Sequence, residues 1–171
     1  MDEVAKLTGR VYKPFQYEGA PDAEKVIISM GSSCDVAHET VNKMLESGEK
    51  VGIVKCHLYR PFSVEYLMKV LPKTVKKIAV LDRTKEPGAL GEPLFLDVKA
   101  LFQGRENAPM VIGGRYGLSS KDTTPAQIVA VFDNLELKVP KPDFTIGIVD
   151  DVTFKSLPVK EEISIVKPGT T

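Results

Sequence analysis

The chain has 171 residues, and its 23 lysines and arginines balance its 23 aspartates and glutamates, so its formal net charge is zero. Without a basic excess, the chain lacks the charge that non-specific binding to nucleic-acid phosphates requires. A hydrophobic content of 43% is too high for a disordered protein and predicts one domain with a packed core. Zero net charge gives little electrostatic protection against self-association, which favours an oligomer or a part of something larger.

The sequence indicates neither membrane insertion nor secretion. No stretch approaches the roughly 18 apolar residues that a membrane helix requires, and residues 1–10 lack the apolar core of a signal peptide. Two cysteines, Cys34 and Cys56, are too few for a disulfide framework or for an iron–sulfur cluster held by this chain alone. We therefore expect a reducing, cytoplasmic location.

Short apolar runs rich in β-branched residues alternate with segments of helical periodicity. The apolar runs are bounded mostly by glycine, proline or charged residues and predict buried strands. Ser63 and Thr124 are expected helix N-caps, and Gly48 and Pro72 are expected stop signals. In chain order, the pattern predicts a strand over 26–30, a helix over 33–47, a strand over 51–58, a helix over 63–71, a strand over 78–81, a helix over 92–103, a strand over 110–112, a helix over 124–135 and a strand over 144–149.

This alternation with short loops predicts a three-layer α/β/α fold with a mostly parallel sheet of about five strands. Right-handed crossovers would place helices on both faces of the sheet. The α/β domain is expected to span residues 25–151. Residues 1–24, studded with proline and aromatic residues, predict an extended N-terminal arm, and residues 152–171, whose apolar side chains have no evident layer to pack into, predict a linker toward a next domain.

Neither the first strand-to-helix turn nor the cysteines and histidines predict a chemical site. Gly31-Ser32-Ser33 could bind a phosphate at a helix N-terminus, but the dinucleotide fingerprint and the P-loop lysine are missing, so Ser32 or Ser33 is expected simply to cap the helix. Cys56 and His57 point to opposite faces of a strand. Cys34 and His38 share a helix face but lack the further ligands of a zinc site. No nucleophile–base–acid set is evident, so no catalytic residue and no metal ligand is predicted.

The loops after the third and fourth predicted strands carry an unusual density of charges and glycines. Because ligands gather outside the carboxyl ends of parallel strands, both loops are expected on one rim of the sheet. The rim is expected either to dock a partner or to face an anion, with an ordinary exposed connection as the alternative. The residues of this predicted rim are Asp82, Arg83, Thr84, Lys85, Glu86, Gly88, Gly91, Arg115, Tyr116 and Lys121.

Six stretches together resemble the central region of pyruvate:ferredoxin (flavodoxin) oxidoreductases. The resemblance covers nearly the whole chain, and its long matches make it specific. The stretches are GRVYKPF (9–15), GAPDAE (19–24), LYRPF (58–62), LDRTKEPG (81–88), GGRYGLSSK (113–121) and FTIGIVDDVT (144–153).

The resemblance implies that the chain is one domain of a larger enzyme, with the fold of the carboxyl-terminal domain of transketolase-like enzymes. Such an enzyme oxidatively decarboxylates pyruvate to acetyl-CoA and passes electrons through iron–sulfur clusters to ferredoxin or flavodoxin. Its thiamine diphosphate, Mg²⁺ and clusters would lie outside this chain, which alone would be inactive. The role implied here is scaffolding, with the rim meeting other domains of the same polypeptide and the partner protomer.

Contact between the phosphates of coenzyme A and Arg83, Lys85 or Arg115 is a second expectation. Two other classes of protein stay open on the sequence alone. One is a free-standing nucleotide- or acyl-CoA-binding α/β domain, and the other is a non-catalytic subunit that binds partners.

Overall fold

Strands and helices alternate along the chain in the computed structural model, which describes residues 1–150 and 152–158. No helix within these residues is long and apolar enough to cross a membrane. The elements are α1 (Asp2–Thr8), β1 (Phe15–Gly19), β2 (Lys25–Ser29), α2 (Ser33–Glu46), β3 (Val51–Cys56), α3 (Val64–Val70), β4 (Lys77–Asp82), α4 (Pro93–Phe102), β5 (Met110–Arg115), α5 (Pro125–Glu136) and β6 (Phe144–Thr145).

The strands form one sheet in the order β1-β3-β2-β4-β5-β6. Neighbouring strands from β3 to β6 are parallel, and β1 pairs antiparallel with β3 at one edge. Helices α2 and α5 pack on one face and α3 and α4 on the other. The predicted three-layer α/β/α class is confirmed, and the sheet has six strands rather than the expected five or so.

The central strands are buried on both faces, which explains their nearly continuous apolar sequences. Successive side chains point to opposite faces, so Ile27 joins the core under α2 and α5, whereas Val26 and Ile28 join the core under α3 and α4. All three side chains are fully buried, and burial of one such side chain stabilises the fold by roughly 1.5–3 kcal/mol.

The N-terminal segment carries more regular structure than the sequence predicts. The segment expected to be an extended arm contains α1 and the edge strand β1, whose Phe15 is fully buried in the core. An edge strand has a neighbour on one side only, so its sequence needs little apolar character beyond one anchor. The domain boundary expected near residue 25 therefore falls inside the sheet's own structure, between β1 and β2.

The last predicted strand is shorter than expected, and the segment after it returns to the sheet. Strand β6 covers two residues instead of 144–149, and Gly147 with φ +80° lies in the segment that follows it. Thr145 and Ser156 form a parallel bridge, and Leu157 is buried with its backbone N–H donating to the Thr145 carbonyl at 3.0 Å. Part of the predicted linker thus packs on the core, and its apolar residues Val159, Ile163 and Ile165 lie outside the described residues.

Candidate functional site at the carboxyl edge of the sheet

The carboxyl ends of β2 and β4 form the topological switch point of the sheet. From β2 the chain crosses to β3 on one side, and from β3 it returns to β4 on the other side. In open parallel sheets, ligands and partners bind in the crevice outside such a point. The loops after β2, β4 and β5 all reach this edge, so the two loops of the predicted rim do lie side by side.

A pocket of about 270 Å³ opens at this point, which we call the switch-point pocket. The polar and charged groups of its lining include those of Ser32, Arg83, Lys121 and Asp122. Neither serine caps α2 as the sequence predicts, because Ser32 has helical dihedral angles instead of the extended ones of a capping residue, and the Ser33 hydroxyl bonds to the Ser29 hydroxyl at 2.8 Å. The Tyr116 hydroxyl is also engaged, since it donates to the Met30 carbonyl at 2.7 Å.

Asp82, predicted on the rim, is buried and holds the start of α4. Its two carboxylate oxygens accept hydrogen bonds from the backbone N–H groups of Leu94 and Phe95, both at 3.1 Å. Burial raises the pKa of Asp82 above its ordinary value, although these two hydrogen bonds act in the opposite direction. The side chain therefore fixes the loop between β4 and α4 from within, and the expectation that it faces a partner is corrected.

Arg115, also predicted on the rim, is 7% exposed and lies at the centre of an ion-pair cluster. Its Nε donates to Glu92 Oε1 at 2.6 Å, its Nη2 contacts Asp143, and Asp143 also contacts Lys155. We call these four residues the Arg115 cluster. It ties β5 to the N-terminus of α4 and to the chain that follows β6. Because Arg115 is buried and its Nε and Nη2 are already paired with carboxylates, it is corrected from an anion-binding candidate to a positioning residue.

Of the eight remaining members of the predicted rim, five face solvent and three do not. Tyr116 is buried, and Thr84 and Gly91 are partly buried. Sequence reasoning missed the ion-pair partners of Arg115, since no periodicity marks the buried Glu92 or the partly exposed Asp143 and Lys155. It also missed Leu90, which is 97% exposed at the tip of the loop and was detectable as an apolar residue among charges and glycines. The exposed groups that we retain as the carboxyl rim are Arg83, Lys85, Glu86, Gly88 and Lys121.

The two cysteines are buried free thiols on opposite faces of the sheet. Burial raises the pKa of both Cys34 and Cys56 to about 11, so both stay protonated and weakly nucleophilic at neutral pH. His38 contacts the Lys55 ammonium at 3.0 Å rather than Cys34. Within residues 1–150 and 152–158, no group of three or more His, Cys, Asp or Glu side chains is arranged to hold a metal ion.

The Asp143→Asn variant tests the Arg115 cluster through pH. Partial burial raises the pKa of Asp143, but its contacts with Lys155 and Arg115 outweigh this and hold the pKa below the ordinary 3.8. A lowered folded-state pKa stabilises the fold above pH 3.8 and ceases to do so as the pH falls through the folded-state value. We expect the variant to be less stable by about 1 kcal/mol at pH 7, a modest value because Asp143 is 43% exposed and solvent screens its charge.

Urea unfolding of this variant and of the unchanged chain between pH 7 and pH 3 measures the effect. The difference in the free energy of unfolding should shrink as the solution becomes acidic. Asp122→Asn, an exposed carboxylate on the same edge, is the matched control and should change stability by less than about 0.5 kcal/mol. A difference for Asp143→Asn that stays constant with pH would contradict the ion-pair assignment.

The fold and this edge define a class of protein, namely a three-layer α/β domain whose rim is held rigidly by buried charges while its exposed groups face outward. Within that class, the chain belongs to the family of pyruvate:ferredoxin oxidoreductase core domain II, which matches residues 23–128. It is 58% identical over 170 residues to a pyruvate:ferredoxin oxidoreductase of Moorella thermoacetica and 54% identical over 172 residues to a pyruvate-flavodoxin oxidoreductase of Klebsiella pneumoniae.

These matches cover 99% and 100% of this chain but only 14% and 15% of the two relatives, so the chain corresponds to a small part of each. Among solved structures, a 2-oxoglutarate:ferredoxin oxidoreductase of Magnetococcus marinus aligns with 75% of this chain and 20% of its own, at 24% identity and a TM-score of 0.54. This likeness supports the fold alone.

Proposed function

We propose that this chain is a structural, interdomain domain of an enzyme that oxidatively decarboxylates pyruvate to acetyl-CoA and transfers the electrons to ferredoxin or flavodoxin. Other domains of the same polypeptide would hold thiamine diphosphate, Mg²⁺ and the iron–sulfur clusters, and the enzyme would work in the cytoplasm. The chain alone would be inactive. Its carboxyl rim would meet neighbouring domains and the partner protomer.

The observation that carries this proposal is the identity of more than half along nearly the whole chain to relatives several times longer. The arrangement of the described side chains agrees with a supporting role. The buried acids and bases are paired with one another or cap a helix, the thiols are protonated, and no cluster of potential metal ligands comes together within the described part of the chain. The residues here therefore do not suit Mg²⁺ or an iron–sulfur cluster, and we derive no reaction step through either.

The direct test compares the 171-residue chain with the complete polypeptide that contains it. With pyruvate, coenzyme A and oxidised ferredoxin under anaerobic conditions, the complete polypeptide should reduce ferredoxin in a reaction that needs both pyruvate and coenzyme A. The 171-residue chain alone should reduce none. Pyruvate oxidation by the short chain, or a complete polypeptide that ignores pyruvate and turns over another class of substrate, would overturn the proposal.

The docking role of the carboxyl rim is tested by reversing two of its charges. Arg83→Glu together with Lys85→Glu should lower kcat/KM of the complete enzyme about tenfold without unfolding it, because charges at a domain contact determine register and complementarity. Lys138→Glu is the matched control. Lys138 is exposed and lies away from the rim. The carbonyl of the neighbouring Leu137 accepts a hydrogen bond from Lys77, which stands at the amino end of β4. Equal activities of the two variants would show that the rim makes no such contact.

A second function, binding of coenzyme A, is favoured by the switch-point pocket. Arg83 and Lys121 are lining residues that suit an anionic phosphate, and the carboxylate of Asp122 lines the pocket beside them. Arg115 is excluded as a phosphate ligand because it is buried and paired with carboxylates, and Lys85 is excluded because it does not line the pocket. Calorimetric titration of the 171-residue chain, once circular dichroism shows it folded, should give heat at millimolar coenzyme A if the pocket binds it. Arg83→Ala should abolish this heat. If the unchanged chain gives no heat, independent binding of coenzyme A is overturned, and only the structural role is retained.

A further inference from the structure

Helix α4 is apolar on more sides than the described fold covers. Of its ten residues, only Asp97 and Lys99 are charged. Its buried side chains, which include Leu94 and Val98, pack on the sheet, but Leu96 is only partly buried and Ala100 is exposed. An apolar part of a helix surface that the rest of the fold leaves uncovered is available to a second packing partner. The sequence of α4 thus predicts a second packing partner beyond the sheet.

Two grooves lie along the flanks of α4. The inner groove, of about 570 Å³, lies between the end of α3 and the end of α4. The outer groove, of about 450 Å³, lies on the β5 side of α4. The grooves share Phe102, Ala108 and Pro109, so they form one continuous surface. Exposed apolar surfaces of this kind mark sites of protein contact more often than chance.

The apolar lining of the two grooves is largely aliphatic. Met68 in the inner groove is 38% exposed, and Leu90 at the far end of the outer groove is 97% exposed. The loop that carries Leu90 is anchored at both ends. Asp82, at its start, accepts hydrogen bonds from backbone N–H groups at the start of α4, and Glu92, at its end, is paired with Arg115. An exposed leucine on a loop anchored at both ends offers an apolar contact point to a partner.

The charges beside the grooves have mostly one sign. Lys73 and Arg105 line the inner groove and Lys99 lines the outer one, against the single carboxylate of Glu106. An occupant with an apolar face and flanking carboxylates would match this pattern.

We propose that the two grooves along α4 are covered, in the complete enzyme, by an apolar surface flanked by carboxylates that belongs to another domain of the same polypeptide. The choice of occupant rests on the proposed function, because relatives that match this chain from end to end extend far beyond it, to about seven times its length. The inferred contact lies on the α3–α4 face, apart from the carboxyl rim except at Leu90.

The test is made in the complete enzyme. Ala100→Cys places a thiol at the exposed edge of the outer groove. Asn42→Cys places a thiol at an exposed position of α2 on the opposite face, as a matched control for the folding of the variant and for the reactivity of the reagent. Maleimide labelling of each thiol is followed by peptide mass spectrometry, in the native enzyme and after denaturation. We expect native labelling at position 100 to be at least about tenfold slower than in the denatured chain. Native labelling at the denatured rate would overturn the proposal.

Zero-length carbodiimide coupling identifies the occupant. Lys73 and Lys99 should couple to carboxylates of another domain, and a mixture of ¹⁴N and ¹⁵N enzyme should give couplings within one isotope only. Mixed-isotope couplings would assign the grooves to a second copy and overturn the proposal. Protection of the thiol at position 100 without any coupling of the lysines would overturn the part of the proposal that gives the occupant flanking carboxylates. Pyruvate-dependent ferredoxin reduction is measured separately, so failure of the proposed function and failure of the covered grooves give different results.

Discussion

Replacing Arg115 with methionine is expected to lower the free energy of unfolding by about 3–5 kcal/mol, because the change leaves the Glu92 carboxylate buried without a cation. The Glu92 side chain is 3% exposed and the Arg115 side chain 8% exposed, so water cannot take over the lost partner. Methionine preserves much of the volume, so the loss measures charge rather than packing. Urea unfolding of the 171-residue chain, followed by circular dichroism, measures it.

The double variant Arg115→Met with Glu92→Gln keeps this prediction testable if the single variant fails to fold. Removing both charges should recover at least about 1–2 kcal/mol relative to Arg115→Met alone, since the unpaired carboxylate is gone. Lys85→Met, in the exposed part of the same edge, is the matched control and should change stability by less than about 0.5 kcal/mol. A single variant as stable as this control would contradict the buried cluster.

Gly114→Ala is expected to destabilise the chain by about 2–3 kcal/mol through overpacking. A Cβ atom at this position of β5 would clash with the ring of Phe144 and lie 2.9 Å from Leu81 Cδ2, and both neighbours are fully buried. Gly113→Ala meets a looser contact, with the nearest atom of Phe95 at 2.9 Å, and should cost less. Denaturant midpoints of the two variants compare the two positions directly.

A second substitution distinguishes overpacking from a loss of backbone freedom. Phe144→Leu removes the ring that a Cβ at position 114 would strike, so the combination with Gly114→Ala should be less destabilising than the sum of the two single changes by about 1 kcal/mol or more. Strict additivity would show that the clash does not determine the cost.

These glycines illustrate what the sequence could and could not predict. The segment Gly113-Gly114-Arg115 was predicted to be a loop after a strand ending at Ile112, whereas it completes β5. The glycines resemble turn residues in sequence, but they are required because large rings from other elements lie against the strand. Such a contact is non-local, and neither propensity nor alternation encodes it.

The central strands and helices α2 to α5 followed the predicted pattern because burial on both faces or on one stripe leaves a periodic trace in the sequence. Ser63 also caps α3 as expected, accepting from the Tyr66 N–H at 3.4 Å. The rim residues followed the sequence prediction only in part. The charged segments do lie together at one edge of the sheet, but the sequence could not show which charges face inward, since Asp82 and Arg115 resemble their exposed neighbours Arg83 and Lys85. The pairing of β4 with β5 sets Asp82 beside Arg115, and each is held inside by a partner distant in sequence, the start of α4 for Asp82 and Glu92 for Arg115.

The antiparallel direction of β1 has a consequence for how the chain is threaded. Because Phe15 pairs with Cys56, the chain enters the sheet at its carboxyl end, and it leaves β6 at the same end. The entry and exit strands are the two outermost of six, so they lie roughly 24 Å apart along the sheet at a spacing of about 4.8 Å per strand. The sheet therefore sets the point where the chain enters β1 and the point where it leaves β6 on either side of the rim, at a separation fixed by the four strands between them.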